Sequence, residues 1–317
     1  MDYEEALMVK ASWYYYFENL TQQQVANQMG LTRMRVMKLL DTARQSGIIQ
    51  FRLRQDGEKR MLLERKLMSE YELSDAFVVP AAVDPTLTNA GVAEAASLYI
   101  SERLSDSSTI NIGYGDTPSR ILNNLATIAE KPLNCISLTG GVSYYLPDTR
   151  STVFNAKLYL IPSPLMTSSK EMAEALRNED SIRELSRMID VAQMSVVGIG
   201  AMHESATIFK TGMLSANDFL YLRMQGAVGD VLSHFIDKNG TLLNTTMEER
   251  LISTPLEKLK ELKNVIGVAA GDHKVDAIRA ALNGRYLDVL VTDDRTAAQL
   301  VTATDAENNG TKHRMEG

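Results

Sequence analysis

Seven short apolar runs, rich in Val, Ile and Leu, alternate with helical stretches through most of this 317-residue chain. The runs lie at residues 76–80, 109–113, 135–138, 158–161, 194–199, 265–269 and 287–292. The helical stretches that separate most of them lie at residues 89–105, 118–128, 169–190 and 274–282. Strands that alternate with helices form a mostly parallel sheet covered on both faces. The sequence therefore predicts a doubly wound α/β domain over residues 76–303.

The overall composition is that of a globular protein, with 44% hydrophobic and 23% charged residues. A single cysteine, Cys135, excludes a disulfide framework, and with four scattered histidines it argues against a Cys/His zinc site. We therefore predict no metal and no cofactor. We also predict no membrane span, since no apolar run approaches about 20 residues. The acidic start does not resemble a targeting peptide, so we expect a cytoplasmic protein. His203, His234 and His273 are interpreted as surface or loop residues.

The charge of the chain is unevenly distributed. The formal net charge is −7, which taken whole argues against a nucleic-acid partner. Residues 1–54, however, hold seven basic and five acidic residues, and residues 55–317 hold 26 basic and 35 acidic ones. Within residues 21–54 the balance is six basic to one acidic. A cationic head on an anionic body is typical of a DNA-binding domain joined to a soluble partner domain, although a solvated basic helix face would look the same.

Helix start and stop signals divide the head into three helices. A first helix is predicted over residues 3–19, with apolar residues at helical spacing. Thr21 and Gln24 form a capping box that begins a second helix, and Gly30 ends it. Thr32 caps a third helix. Two short helices joined by a tight turn that contains glycine predict a helix-turn-helix.

The third helix, residues 33–45, is predicted to enter the major groove of double-stranded DNA by its N-terminal end. Arg33 and Arg35 suit guanine edges, whereas Lys38 and Arg44 suit phosphates. The predicted DNA contacts are Gln22, Gln23, Thr32, Arg33, Met34, Arg35, Met37, Lys38 and Arg44. Residues 48–53 alternate like a short strand and would form a wing. The alternative is a small helical bundle with an exposed basic face.

The head and the body together resemble one known family. In the head the matching segments are residues 21–26, 30–33, 38–40 and 43–49. In the body they are residues 138–142 (LTGGV), 162–164 (PSP), 197–200 (VGIG), 226–230 (GAVGD), 268–274 and 290–294. In this order they resemble the SorC/DeoR-type sugar-binding transcriptional regulators over about residues 8–302. The resemblance implies a sugar-phosphate-isomerase-like body that binds a phosphorylated sugar or polyol, and a tetramer.

Four polar or glycine-rich turns, at residues 112–117, 139–141, 226–230 and 271–274, are interpreted as the ends of predicted strands, where parallel sheets bind ligands. Pro118 can open a helix after the first turn, and helix N–H groups favour an anion. Lys274 at a helix start suits a phosphate, and Asp230 suits sugar hydroxyls. Each turn alone is more often just a turn, but their joint occurrence predicts a site. Pro118 stands where a dinucleotide fingerprint needs its third glycine.

The resemblance assigns roles to these turns. The positions that match the family's ligand-binding positions are Gly113, Tyr114, Gly115, Thr117, Thr139, Gly140, Gly141, Asp230 and Lys274. We expect Lys274 and the backbone of 113–117 and 139–141 to bind phosphate, and Asp230 to bind hydroxyls. The chain departs from the family at Tyr114, where Trp is frequent, and at Asp116, where a basic residue is frequent. Those departures affect the shape and charge of the effector.

The sequence thus predicts a DNA-binding transcriptional regulator of a carbohydrate or polyol catabolic operon, acting as a dimer or tetramer. Its predicted parts are a helix-turn-helix domain (1–54), a linker or oligomerisation helix (55–75), the effector domain (76–303) and a disordered tail (304–317). The alternative is a sugar-phosphate isomerase or deaminase that works through an enediol. Asp116, Asp230, Asp293 and Lys274 carry the groups for that chemistry. No arrangement among them specifies catalysis, so no catalytic residue is predicted.

Overall fold

The computed structural model describes residues 3–49, 55–105, 108–128, 132–141, 156–204, 206–210 and 212–302. The chain forms two compact units, Met1–Glu58 and Lys59–Gly317. The predicted wing lies mostly outside the described residues, and the predicted disordered tail lies wholly outside them. The head unit contains α1 (Tyr3–Ser12), a π-helical turn (Trp13–Phe17), α2 (Gln22–Met29) and α3 (Arg33–Gln45).

The helix ends of the head form where the sequence predicts them. Thr21 Oγ1 accepts from Gln24 N at 3.3 Å and Gln24 Oε1 accepts from Thr21 N at 2.9 Å, so both halves of the capping box are made. Gly30 ends α2 with φ +66°, a left-handed conformation that glycine adopts without strain. Thr32 caps α3 by accepting from Arg35 N at 3.2 Å. The predicted helix-turn-helix is confirmed.

The second unit begins within α4 (Gln55–Tyr71) and contains nine strands among the described residues. They are β1 (Asp75–Val79), β2 (Thr109–Ile112), β3 (Leu133–Ser137), β4 (Ala156–Tyr159), β5 (Met194–Ala201), β6 (Gly229–Val231), β7 (His234–Ile236), β8 (Val265–Val268) and β9 (Val289–Asp293). The helices between them are α5 (Thr88–Ser101), α6 (Asp116–Ile128), α7 (Lys170–Asn178), α8 (Asp180–Val191), α9 (Thr207–Lys210), α10 (Ala216–Met224), α11 (Leu256–Glu261) and α12 (Val275–Asn283). A last helix begins at residue 294.

Seven of these strands form a parallel sheet in the order β1-β9-β8-β5-β2-β3-β4. These are the seven apolar runs of the sequence. Side chains alternate between the two faces, so Val196 packs in one core and Val197 in the other. One core includes residues of α5 and α6, and the opposite core includes residues of α4, α8, α11 and α12. The predicted doubly wound α/β fold is confirmed.

The strands β6 and β7 form an antiparallel hairpin beside β5, and the sequence does not predict them. Asp230 therefore lies within β6, and the prediction that residues 226–230 are a turn after a strand is wrong. Gly226 instead follows α10. His234 in β7 is 3% exposed and bonds Glu248 and the Thr254 carbonyl, so its assignment to the surface is also wrong.

The helix α4 covers the segment predicted as a linker or oligomerisation helix. Leu67 is fully buried, and Leu63 and Met68 pack partly against the same core. Leu62 of the same helix is 56% exposed. Burial of Leu67 and Tyr71 fixes the C-terminal part of α4 to the α/β unit.

Candidate effector site and DNA-binding face

The carboxyl ends of β8, β5, β2 and β3 are neighbours in the sheet, so the loops that follow them share one edge. The loop after β2 begins at Gly113, whose N–H donates to Val196 O at 2.7 Å. A Cβ at Gly113 would lie 2.8 Å from Leu232 Cδ2 and 3.3 Å from Val196 O. The absence of a side chain is therefore what lets this loop pass closely over β5.

The same loop leads directly into α6. Gly115 has φ +128°, and its carbonyl accepts from Ser119 N at 3.0 Å, which makes it the residue before the first helical turn. The N–H groups of a first turn have no acceptor within the helix and favour an anion. Tyr114 and Thr117 are both buried, and the Tyr114 hydroxyl lies 3.9 Å from Met213 Sδ. The aromatic ring at position 114 thus forms part of the protein interior.

Lys274 follows β8 and stands just before α12. Burial lowers the pKa of Lys274, while the carboxylates of Asp116 and Asp230 act in the opposite direction. Neither carboxylate is close enough for a direct ion pair, and among the described residues the ammonium has no hydrogen-bond acceptor. A desolvated ammonium in this state is suited to an anionic ligand.

Asp230 is held in position by the β6–β7 turn. Its Oδ2 accepts from Ser233 N at 3.1 Å, and it pairs with Gly200 across β5 and β6. Desolvation raises the pKa of Asp230 to about 6, although the Ser233 N–H and the charges of Lys274 and His234 oppose that rise. The carboxylate is ionised at neutral pH and is suited to accepting hydrogen bonds from hydroxyls.

The segment after β3 has a different character from the one predicted. Gly140 N donates to Ile252 O and Gly141 N donates to Ser163 O, each at 2.9 Å. The amides of Gly140 and Gly141, which we expected to bind phosphate, therefore already donate to carbonyls of the protein. Thr139 is buried, and its hydroxyl donates to Gly140 O at 2.9 Å. Because its amides and its hydroxyl are already hydrogen-bonded within the protein, the segment can contact a ligand by packing but has few donors left for it.

Arg120 and Asn89, which the sequence does not predict as site residues, hold Asp116. Arg120 Nε donates to both carboxylate oxygens at 3.1 and 3.0 Å, and Asn89 Nδ2 donates to Oδ2 at 2.9 Å. The i,i+4 spacing of Asp116 and Arg120 was a readable signal for an ion pair on one helix face. Asn89 is distant in the chain and gave no such signal. Among the described residues no cluster of His, Cys, Asp or Glu could hold a metal ion.

The exposed face of α3 carries most of the predicted DNA contacts. Arg33, Met34, Met37 and Lys38 are exposed, whereas Val36, Leu39, Leu40 and Ala43 are buried in the head. Met34 is 70% exposed, which is unusual for an apolar side chain on a helix of a small domain. This surface has the mixture of cations and apolar groups that reads base edges in the major groove.

Most of the predicted polar contacts have partners within the head. Arg35 pairs with Glu4 of α1, so it lies at the flank of the exposed face and not at its centre. Arg44 pairs with Asp41 one turn earlier. Gln22 Oε1 accepts a long hydrogen bond, 3.5 Å, from Arg33 Nε. Gln23, Thr32 and Lys38 are exposed, but Gln23 Nε2 donates to Asn27 Oδ1 at 3.1 Å and Thr32 already caps α3.

Comparison with known proteins connects the two units. A family model described as "Putative sugar-binding domain" matches residues 56–302, and a model of sigma-70 region 4 matches residues 11–46. The transcriptional regulator LsrR of Klebsiella pneumoniae is 33% identical over 299 residues, which cover 93% of this chain and 92% of that protein. LsrR of Escherichia coli K12 is 32% identical over 302 residues, with 94% and 95% covered.

The chain belongs to the SorC/DeoR-type sugar-binding transcriptional regulators. The solved structures agree with this assignment. The full-length sorbitol operon regulator SorC of Klebsiella pneumoniae superposes with a TM-score of 0.67 at 25% identity, covering 95% of this chain and all of that one. A DeoR family regulator of Listeria monocytogenes has the same TM-score and identity over 76% of this chain and 99% of its own.

Membership of the SorC/DeoR-type family fixes the general role of both units. The relatives are named as transcriptional regulators, so the chain is a DNA-binding regulator with a sugar-binding domain and not an isomerase or deaminase. DNA and a sugar-type ligand are therefore its partners. No helix among the described residues is long and apolar enough to cross a membrane.

Proposed function

We propose that this regulator controls a carbohydrate or polyol catabolic operon in the cytoplasm and responds to a phosphorylated sugar or polyol. The observation that carries the proposal is the partly buried ammonium of Lys274, which has no direct partner among the described residues and stands at the edge where the loop after β2 also lies. A phosphate group satisfies such an ammonium and the N–H groups of the first turn of α6 at once.

The proposed site divides the effector between two kinds of group. Lys274 and the 113–117 backbone bind the phosphate, and Thr139, Gly140 and Gly141 form a wall beside it. Asp230 accepts hydrogen bonds from hydroxyls of the sugar or polyol. Tyr114 supports the loop from within the protein, through its contact with Met213.

DNA binding is proposed to use the exposed face of α3 in the major groove. One head is small, and its net charge is only modestly positive, so operator affinity needs two or more heads acting together. We therefore propose a homodimer or homotetramer whose assembly, or the spacing of its heads, changes when effector binds. The coupling between the two sites must amount to about 1–3 kcal/mol to control transcription.

The experiment is a fluorescence-anisotropy titration of the full chain against DNA from upstream of its own gene, with and without phosphorylated sugars and polyols. Lys274→Ala is expected to bind DNA as the wild type does and to lose the response to effector. Lys263→Ala, which removes an exposed lysine of the same unit, is the matched control and should keep both properties. Loss of DNA binding by a folded Lys274→Ala protein would contradict the separation of roles.

A further inference from the structure

Asp116 puts a carboxylate directly after the loop that follows β2, beside the proposed phosphate-binding groups. It is the first residue of α6, and its side chain is 44% exposed. Arg120 holds both of its oxygens from one turn later, and Asn89 holds Oδ2 from α5. These hydrogen bonds hold the carboxylate between the two helices.

The charge of this carboxylate is constant at neutral pH. Partial burial opposes ionisation, but the hydrogen bonds from Arg120 and Asn89 and the charge of Lys274 prevail and lower the pKa of Asp116. Asp230 contributes a second negative charge above about pH 6. Lys274 and Arg120 contribute two positive charges, so the four groups sum to no net charge.

A neutral set of site charges limits what can be bound. One phosphate group brings about −1.5 to −2 charges, which the ammonium and the helix N–H groups stabilise. A second phosphate would find no further cation among these four groups and would lie close to two carboxylates, where like charges repel. A hydroxyl or amino group in the same place would donate a hydrogen bond to Asp116.

We propose that Asp116 is a specificity-determining residue that selects an effector with a single phosphate and a hydrogen-bond donor beside it, and that it excludes effectors with two phosphates. The proposal rests on the function proposed above, since it concerns the same site. Asp116 contributes discrimination, and Lys274 contributes the attraction for the first phosphate.

Two probe pairs test this by titration calorimetry on the full chain at fixed ionic strength. They are ribulose 5-phosphate against ribulose 1,5-bisphosphate, and inorganic phosphate against pyrophosphate. The wild type is expected to prefer the monophosphate of each pair. Asp116→Asn should shift the affinity ratio toward the two-phosphate ligand by about tenfold or more, because it removes a full negative charge near that group.

Arg120→Gln provides a second variant with the opposite expected sign. It removes the cation and leaves the carboxylate, so it should shift the ratio further toward the monophosphate. Asp276→Asn is the control, because it removes a carboxylate that pairs with an arginine one turn along its helix and is 80% exposed. It should leave both ratios unchanged. Thermal melting of each variant establishes that it is folded.

The outcomes are separable. If the wild type binds the monophosphates and Asp116→Asn leaves the ratios unchanged, the role of Asp116 is refuted and the proposed function stands. If both variants shift the ratios in the same direction, charge at this position does not set the selectivity, and the proposal is again refuted. If the wild type binds none of the four ligands, the phosphorylated effector itself is contradicted and the role of Asp116 falls with it.

Discussion

Glycines in the proposed site provide space for neighbouring groups, in addition to backbone freedom. Gly200 stands opposite Asp230, and a Cβ there would lie 2.0 Å from the Asp230 Oδ1 atom. Gly229 likewise has no room for a side chain, because a Cβ there would lie 2.4 Å from the Cβ of Ala277. The position of the Asp230 carboxylate therefore depends on two residues that have no side chain of their own.

Gly200→Ala is expected to displace the Asp230 carboxylate and to weaken effector binding by about tenfold or more, because one charged hydrogen bond is lost. A carboxylate can rotate where backbone cannot, so the protein should remain folded. The matched control is Gly91→Ala, where a Cβ would meet no atom within 4 Å and the residue lies in α5. That change should stabilise the protein by about 0.5–1 kcal/mol. Calorimetry and thermal melting on both variants measure the two effects.

Asp230 also predicts a pH dependence of stability. Its pKa is raised to about 6 in the folded protein from the ordinary value of 3.8, so the folded state holds the proton more tightly. The ionised carboxylate therefore lowers the free energy of unfolding. This destabilisation is fully present above about pH 6 and is lost as the pH falls toward 3.8. Urea unfolding at pH 7.5 and pH 5 should show Asp230→Asn gaining stability over the wild type at the higher pH and keeping only part of that advantage at the lower one. An equal difference at both pH values would contradict the assignment.

At the scale of secondary-structure elements, the parts that the sequence predicts are those encoded locally. The caps of α2 and α3 depend on side chains within three residues, and the seven parallel strands are continuous apolar runs. The sequence pattern does not predict the hairpin β6–β7, because each of its strands has only three residues. Its turn uses Leu232 and Ser233 at φ +54° and +68°, where glycine or asparagine would have given the signal. Likewise residues 169–190 form two helices, because Glu179 is extended with ψ 135°.

The contacts between distant residues of the proposed site cannot be predicted from any local sequence pattern. Asn89 reaches Asp116 from a different helix, and Gly200 faces Asp230 across a strand pair. The amides of Gly140 and Gly141 are taken by carbonyls from distant segments. The residue types at strand ends predict that a site is there, but long-range packing decides which groups remain for a ligand.

The exposed face of α3 predicts two different effects of mutation on DNA binding. Arg33→Ala should relax the preference for one base position at a cost of about 1–3 kcal/mol, because a guanine contact is lost. Lys38→Ala should weaken binding to all sequences about equally and reduce the salt slope by about 1, because a phosphate contact is lost. Anisotropy titrations against an operator and its single-base variants, at several salt concentrations, distinguish the two.

Arg35→Ala serves as the comparison within the same helix. Its partner Glu4 holds it at the flank of the face, so its removal should change base preference less than Arg33→Ala does. If Arg35→Ala is instead the variant that abolishes discrimination, then the ion pair with Glu4 breaks on DNA and Arg35 belongs among the base-reading residues.

At the scale of the whole molecule, the DNA-binding head and the sugar-binding unit carry net charges of opposite sign. Residues 1–54 carry a net +2 and residues 55–317 a net −9, although the chain as a whole is acidic. An anionic sugar-binding unit repels the DNA backbone and so suppresses non-specific binding by the rest of the protein. A head of +2 alone contacts few phosphates, which leaves specific affinity dependent on the number of heads engaged.

Operator affinity should therefore depend on how many half-sites one DNA duplex offers. The full chain should bind DNA that carries two half-sites in inverted repeat at least about 100-fold more tightly than DNA with one half-site, because the second head binds at a high effective concentration. Inserting five base pairs between the half-sites should remove most of that advantage, since it rotates one site to the opposite face of the duplex. Insertion of ten base pairs should restore part of it. Anisotropy titrations of the four duplexes at one salt concentration make the comparison, and equal affinity for one and two half-sites would show that a single head suffices.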